Sequence, residues 1–442
     1  MTDPQRWCTL LVEGARSAGA VWAEAAVWET TTRTCAGRRD PLRGPVHEHK
    51  ASLRVGTEGG HAALVTGSPR GEAELSHLPA RAMAAALGRP PDPDDGAAER
   101  MELPTIGLQI SDPRLPRLEE SDRRDVIAYN EDAVRGVSKG LTGVSFVYEE
   151  QSIRRAVLNS RGQEGLELGT RFRLRGALRH PGKPDTELGA SVESRRFADV
   201  SSMPLGTDLA RRAVANAQPT NRPERALPVV IEPRVLATLL PLIASAFDGD
   251  LVDAGKSFIR SAALNASMSL GSTRLHVVDD ACLPGALATR AFDDRGVPPM
   301  PLPLIREGTL GALYRSPRSA RALGTRPTGH ARWDGGVWPG NLVVRPGARS
   351  RNMMFPDVGR YVLIDDLLDL SGINLATGAI KVPVRLLLGE QGKPIGGLGR
   401  GVLDTTIVGL FGALVELAND VERHGSVDAS TMVFEGLPIN PA

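Results

Sequence analysis

The sequence predicts an α+β fold in two parts: an N-terminal α/β domain with a mixed or antiparallel sheet, and a C-terminal β-rich domain with helices. At 442 residues the chain is long enough for two hydrophobic cores. Helix-like and strand-like segments follow one another without a regular βαβ alternation. Residues 218–228 (QPTNRPERALP) are typical of a linker, so we divide the chain into residues 1–222 and 223–442.

The first half contains patterns of both secondary-structure types. Residues 5–18 have helical character, and residues 20–33 alternate as in a strand. Two short strands, 49–56 and 61–66, flank the Glu-Gly-Gly sequence at 58–60, which is a hairpin signal. The remaining predictions are helices at 71–87, 121–141 and 208–217 and strands at 144–150, 152–159 and 166–178.

The second half opens with a predicted strand at 229–231 and a helix at 233–247. Short strands separated by glycine and proline turns follow over residues 274–384. An apolar stretch, residues 403–421, predicts a last helix. Because this helix would be apolar on nearly all sides, we expect it to be buried in a core or against another subunit, and we expect an obligate dimer.

The composition argues against several classes of function. A formal net charge of +1 gives no overall field that would attract nucleic acid or an anionic membrane. Aromatic residues make up 4% of the chain, too few to favour base stacking. No cationic segment followed by an apolar run is visible at the start, and no apolar run is long enough to span a bilayer. We therefore expect a cytoplasmic protein that acts on neither membranes nor nucleic acid.

Two adjacent carboxylates, Asp293 and Asp294, allow three interpretations: a catalytic pair, a metal site or a turn. Neighbouring side chains on a strand point to opposite faces, so the two carboxylates cannot converge on one atom without a bend. Aspartate caps its own backbone and Gly296 accepts a positive φ, which favours the turn. No Walker A, CxxC or HExxH motif occurs, and we assign no catalytic residue. An unrecognised site around these aspartates and Arg290 remains an open alternative.

A colinear series of short motifs in the second half resembles the TldD/PmbA family, whose members are subunits of a peptidase complex and are also described as modulators of DNA gyrase. Each motif is common by itself, but their order is specific to the family. The first half matches more loosely, chiefly at residues 53–65 and 158–162. The motifs are VVDD (277–280), PG (284–285), RAFDDRGVP (290–298), IREGTL (305–310), SARALG (319–324), TGHAR (328–332) and NLVVRPG (341–347).

The resemblance implies that this chain lacks a metal site. One kind of family subunit carries His-Glu and a second His on a helix, and a Cys near the C-terminus completes its zinc site. The corresponding helix positions here are Pro241, Leu242 and Ala246, and the corresponding C-terminal region, residues 378–393, contains neither Cys nor His. These side chains offer zinc no ligand atom and offer no general base. In family terms, the paired aspartates and the glycine that follows belong to a fold-defining turn.

By this resemblance the chain is a PmbA-type (TldE-like) non-catalytic subunit that pairs with a zinc-bearing, TldD-like sister. The heterodimer would enclose a chamber in which unfolded or modified peptides are cleaved, such as leaders or precursors in natural-product biosynthesis. Strand pairing inside the chamber would make binding broadly specific. The alternative is a regulatory or binding protein that acts on DNA gyrase or a toxin–antitoxin system without a peptidase role.

Overall fold

The computed structural model describes residues 3–104, 107–181, 183–260, 268–332 and 335–441. It confirms the α+β class, because helices are interspersed with strands that form three sheets. No helix or strand lies between Ala217 and Val229, a segment that is described throughout. The division after residue 222 falls within this irregular segment and stays a prediction. No helix in the described ranges is long and apolar enough to cross a membrane.

The first half is a six-stranded antiparallel sheet covered by helices. The strands lie in the order β3-β2-β1-β4-β5-β6. They are β1 (Trp22–Cys35), β2 (Arg43–Gly56), β3 (Ala62–Gly67), β4 (Thr142–Asn159), β5 (Glu164–His180) and β6 (Lys183–Ser194). The helices are α1 (Pro4–Ser17), α2 (Glu72–Leu75), α3 (His77–Leu87), α4 (Glu120–Val137), α5 (Phe197–Ser201) and α6 (Leu205–Ala217).

Two clusters of apolar side chains stabilise this half. Helix α1 begins where the side chain of Asp3 accepts a hydrogen bond from the Gln5 amide at 3.0 Å, with a proline at the first helical position. Its apolar residues recur at helical spacing and pack with α3 against β1 and β2. The second cluster joins α4 and α6 to β4, β5 and β6. The helices thus hold the two ends of one sheet in place.

The second half contains two sheets and one main core. Helix α7 packs against β12, β17 and β18, and apolar residues from both sheets and from α7 form the core. The helices are α7 (Pro233–Ala244), α8 (Gly249–Asp253), α9 (Pro317–Ala322), α10 (Arg351–Val358) and α11 (Ile407–Gly412).

The strands of the second half are mostly short. One sheet has the order β10-β9-β8-β11-β18-β17, and the other β16-β19-β7-β12-β14-β15-β20, with β13 beside β14. They are β7 (Val229–Ile231), β8 (Val277–Asp279), β9 (Leu302–Arg306), β10 (Thr309–Leu310), β11 (Leu342–Val344), β12 (Arg360–Leu367), β13 (Ile373–Asn374), β14 (Ala379–Glu390), β15 (Lys393–Thr406), β16 (Leu414–Leu417), β17 (Glu422–His424), β18 (Val427–Ala429), β19 (Met432–Phe434) and β20 (Ile439–Pro441).

The predicted last helix over residues 403–421 is wrong. The segment holds the end of β15, the six-residue α11 and β16. Leu403 pairs with Val382 in the sheet, and Thr406 caps α11 by accepting a hydrogen bond from the Gly409 amide at 2.9 Å. Most of its large apolar side chains are buried within the chain's own core, so this segment no longer supports an obligate dimer. These buried residues are Leu403, Ile407, Leu410, Phe411, Leu414 and Leu417.

The structure also changes the predicted meander. Strand β4 is continuous where two strands were predicted, since Gln151 keeps its pairing with Thr32 and Arg171 on either side. Strand β6 was not predicted at all. It pairs with β5 and forms one edge of the first sheet. This edge lines the candidate functional site.

A buried ion pair joins the two halves. Asp365 on β12 accepts hydrogen bonds from Arg212 Nε at 2.7 Å and Asn216 Nδ2 at 3.0 Å, both on α6. Arg234 on α7 also donates to this carboxylate, at 3.3 Å. Burial acts to raise the pKa of Asp365, but the two arginines outweigh burial and hold the pKa below its usual value. The carboxylate therefore stays ionised in the folded protein.

We expect the substitution Asp365→Asn to destabilise the protein by about 3–5 kcal/mol, because the buried Arg212 would lose its hydrogen-bonded carboxylate and keep only the more distant Asp208 and Asp366, at 3.9 Å. Asp404→Asn is the matched control: its carboxylate lies 4.0 Å from the exposed Lys381 ammonium, and its loss should cost less than about 1 kcal/mol. Denaturant titration at pH 7 measures both free energies of unfolding.

The same carboxylate sets a pH dependence with a defined sign. Because the folded pKa of Asp365 is lowered, its contribution should be present above the unfolded pKa of about 3.9 and lost as pH falls through the folded value. The difference in stability between wild type and Asp365→Asn should therefore shrink in acid. A difference as small as that of the control at pH 7 would contradict this account.

Candidate functional site

A cavity of about 670 Å³ lies between the two halves. The first half contributes residues of β1, β4, β5 and β6, and the second half contributes residues of α7, β12, β17 and several loops. The lining residues include Trp28, Glu167, Arg171, Gly189, Ala190, Ser191, Glu193, Arg195, Arg234, Pro241, Leu242, Ser245, Trp338 and His424.

The wall formed by β6 presents the edge of a sheet. The consecutive residues Gly189, Ala190 and Ser191 all line the cavity. Since successive side chains on a strand point to opposite faces, a run of lining residues means that the cavity meets the backbone edge. Within the described ranges, no strand pairs with the outer edge of β6. A second hollow of about 270 Å³ shares Ala190 and Ser191 and continues to Val192, so a groove follows the strand.

The opposite wall contains two of the three positions selected by the family resemblance. Pro241 and Leu242 on α7 line the cavity, and Leu242 is 37% exposed. Ala246 lies outside the cavity, fully buried, with its carbonyl accepting a hydrogen bond from Ser257 Oγ at 2.7 Å. Residues 378–393, the other selected region, contain β14 and contribute none of the described lining residues.

These positions do not fit a zinc ion. Pro241, Leu242 and Ala246 have no side-chain ligand atom. In the described part of the chain, no group of three or more His, Cys, Asp or Glu side chains is placed to hold a metal. His424, which lines the cavity, pairs with Glu422, which lines the adjoining hollow: the ring nitrogen and the carboxylate oxygen lie 2.9 Å apart. The hydrogen bond with His424 lowers the pKa of Glu422.

Sequence reasoning did not select this pair. Its one signal is a Glu-x-His spacing, which on β17 places both side chains on one face. Hydroxyl groups also line the cavity at Ser191, Thr238, Ser245 and Ser426, and Ser245 Oγ donates to the Pro241 carbonyl at 3.2 Å. In the part of the chain that the structure describes, His424 pairs with Glu422, and none of these hydroxyls is hydrogen-bonded to the imidazole as in a nucleophile–base pair.

An aromatic wall closes one end of the cavity. The rings of Trp28 and Trp338 have centroids 5.4 Å apart. Behind them Arg155 is fully buried, with its guanidinium 4.9 Å from the Trp28 ring and 4.5 Å from that of Phe292. Asp294 accepts a hydrogen bond from Trp28 Nε1 at 3.1 Å and lies 3.5 Å from Arg155 Nη1. This predicted site residue thus connects the first half to the second.

Asp293 organises a loop of the second half. Its Oδ1 accepts hydrogen bonds from the amides of Arg295 at 2.9 Å and Val297 at 3.0 Å, and its Oδ2 accepts one from Ala331 at 2.9 Å. Gly296 has a φ of 79°, and its amide donates to the Asp293 carbonyl at 3.0 Å. Burial raises the pKa of Asp293, although the three amides act against it. This geometry is that of a turn with a capping carboxylate.

The alternative of a separate site around Asp293, Asp294 and Arg290 gains no support from the geometry. The three residues are 1%, 6% and 1% exposed. None of them lines the cavity. A substrate could not contact these groups without displacing the surrounding chain.

Known proteins resemble this chain at two levels, of which the first is sequence. Residues 224–440 match a family described as the PmbA/TldA metallopeptidase C-terminal domain. The chain is 25% identical over 232 residues to a metalloprotease of Synechocystis sp. and 24% identical over 243 residues to metalloprotease PmbA of Escherichia coli O157:H7. These matches cover 51% and 53% of this chain and 49% and 50% of the relatives. The chain therefore spans about half the length of the curated relatives it matches.

The second level is the fold, which is similar over nearly the whole chain. The crystal structure of TldE from Thermococcus kodakarensis has a TM-score of 0.82 at 16% identity, covering 98% of this chain and 100% of that one. A Bacteroides thetaiotaomicron protein described as a modulator of DNA gyrase has a TM-score of 0.83 at 19% identity, covering 99% and 98%. At these identities the likeness concerns the fold.

We expect Asp293→Asn to lower the free energy of unfolding by about 1–3 kcal/mol, because its amide NH₂ would face a backbone N–H that now donates to a carboxylate oxygen. The cavity should be unaffected in the folded molecule, since Asp293 does not line it. Denaturant titration measures the free energy of unfolding. A variant as stable as the wild-type chain would contradict the structural role of this aspartate.

Proposed function

The chain belongs to the TldD/PmbA family, and from this premise we propose that it is the non-catalytic, TldE-like subunit of a cytoplasmic zinc metallopeptidase. The observation that carries the proposal is the cavity wall on α7. There Pro241 and Leu242 occupy the positions at which, by the resemblance, zinc-bearing subunits have His and Glu. Zinc would belong to a TldD-like sister, with which this chain would form a heterodimer.

The groove along β6 suggests the kind of substrate. An extended peptide can add to the free edge of a sheet through backbone hydrogen bonds, at the usual strand spacing of about 4.8 Å. Gly189, Ala190 and Ser191 have small side chains, so they leave room for a neighbouring strand. Hollows of about 670 and 270 Å³ hold a segment of chain but not a folded domain. We therefore infer an unfolded or modified peptide, such as a leader or precursor in natural-product biosynthesis.

A regulatory protein without a peptidase role is the second candidate. The Bacteroides thetaiotaomicron protein of similar fold is described as a modulator of DNA gyrase. On this alternative the chain would bind DNA gyrase or a toxin–antitoxin system, and its cavity would hold no substrate. The two candidates differ in the protein that copurifies with the chain and in the need for zinc.

Coexpression of the chain with a zinc-bearing sister should yield a stable pair, with peptidase activity only in the mixture. Elemental analysis of the separated chains should find about one zinc per sister chain and none in this chain, because its helix positions lack ligand atoms. About one tightly held zinc in the purified chain alone would overturn the proposal. Copurification of gyrase, with no peptidase activity alongside the sister, would favour the second candidate.

Strand addition to β6 makes a separate prediction about the peptide backbone. A peptide with N-methyl groups at alternate residues loses hydrogen-bond donors, and we expect it to bind at least about tenfold more weakly than the unmodified peptide. A peptide that keeps the same C-terminal residues but has the rest of its sequence shuffled is the control and should bind within about threefold. Fluorescence anisotropy measures both affinities. Equal binding of the methylated peptide would contradict strand addition.

A further inference from the structure

Arg195 is a buried cation that lines the cavity and has no ion-pair partner among the residues that the structure describes. It lies in the bend after the last residue of β6 and is 7% exposed. Its Nη1 donates to the Thr170 carbonyl at 3.1 Å and its Nη2 to the Thr289 carbonyl at 3.2 Å. Arginine has five N–H donors, and Nε has no hydrogen-bond partner among the described residues. Two neutral carbonyls therefore hold the guanidinium in position without balancing its charge.

The surrounding chain is built to hold this side chain. Gly169 on β5 provides the space, because a Cβ atom there would lie 2.8 Å from Arg195 Nη1. The nearby carboxylate of Glu167 already pairs with Arg155 at 3.2 Å and accepts a hydrogen bond from the Ala291 amide at 2.5 Å. Burial, which outweighs the attraction of Glu167, lowers the pKa of Arg195 to about 10. The guanidinium is therefore still protonated at neutral pH.

Two other arginines that line the cavity, Arg171 and Arg234, each lie beside a carboxylate. Arg171 pairs with Glu193, and Arg234 lies 3.3 Å from an oxygen of Asp365. Taking a charge out of water without a counter-charge is unfavourable, and the cost falls when an ion of opposite sign arrives. A buried arginine that is fixed by carbonyls and open to a cavity thus has the properties of an anion-binding group.

We propose that Arg195 binds a carboxylate group of the peptide that enters the cavity. This inference rests on the proposed function, because it names a subsite of the same groove. A peptide that pairs with β6 would have one of its ends near Arg195, since Arg195 directly follows Ser194, the last residue of the strand. The carboxylate is either the C-terminal group of the peptide or the side chain of an Asp or Glu near that end. Both present two oxygens to the planar guanidinium.

Four fluorescein-labelled peptides of one unfolded sequence test the subsite by anisotropy with the purified full-length chain. They combine Glu or Gln near the C-terminus with a free or an amidated terminus. We expect the wild-type chain to bind peptides with the recognised carboxylate at least about tenfold more tightly than the peptide with neither carboxylate. The pattern across the set distinguishes the terminal carboxylate from the side-chain carboxylate.

Variants assign the preference to this residue. Arg195→Gln should abolish the preference and leave the affinity for the uncharged peptide within about threefold, whereas Arg195→Lys should retain part of the preference. Arg175→Gln is the control, because Arg175 is exposed on β5 and does not line the cavity. Circular dichroism checks that each variant is folded. If Arg195→Gln does not fold, the wild-type peptide series and the lysine variant still decide the question.

The outcomes separate the subsite from the function on which it rests. Equal binding of all four peptides by the wild-type chain would overturn the carboxylate subsite while leaving peptide binding intact. A preference that persists in folded Arg195→Gln would also overturn it, because the carboxylate would then be held by another group. Failure of every peptide to bind would overturn both the subsite and peptide binding by this chain.

Discussion

Buried arginine–carboxylate pairs between the two halves are the interaction on which the cavity depends. Arg212 on α6 reaches Asp365 on β12, and Arg155 on β4 reaches Asp294 in a loop of the second half. A buried pair is costly to form and tolerates few geometries, so its main effect here is to select one arrangement of the two halves. That arrangement places the free edge of β6 opposite α7. Without it, the groove would be two unrelated surfaces.

Local sequence signals were sufficient for elements whose stability is local. Helices α1 and α7 were predicted within a few residues of their bounds, because a proline at the start coincides with helical spacing of the apolar side chains. The hairpin of β2 and β3 was predicted from Glu-Gly-Gly. Strand β6 was missed because its Gly-Ala-Ser stretch has low β-propensity, and the strand forms through its pairing with β5. The helix predicted over residues 403–421 was wrong because an apolar run is as compatible with a buried strand as with a helix.

In the candidate site, too, features set by neighbouring residues were predictable and features set by distant contacts were not. The turn at Asp293 follows from local chemistry because Oδ1 accepts from Arg295 and Val297, whereas the bond from Ala331 to Oδ2 comes from a distant loop and carried no local signal. Pro241 and Leu242 were selected through the family resemblance. The spacing of residues around them does not indicate that they line a cavity. Trp28, Trp338 and Arg195 carried no sequence signal. Trp28 and Trp338 lie far apart in the sequence, Arg195 is 94 residues from Thr289, and only the pairing of strands and halves brings these groups together.

The proposed strand addition raises a problem of register that the end of β6 is placed to resolve. Backbone hydrogen bonds repeat every two residues, so a peptide held by them alone can shift along an edge strand at little cost. Small side chains at Gly189 and Ala190 give the peptide few features against which to align. A fixed charge at one end of the strand would stabilise one register over the others, because a shift of two residues moves a carboxylate by about 7 Å. The edge of β6 would bind the peptide backbone whatever its side chains, and Arg195 would bind one carboxylate of the same peptide. Binding can therefore tolerate most side chains and still hold the peptide in one position in the groove.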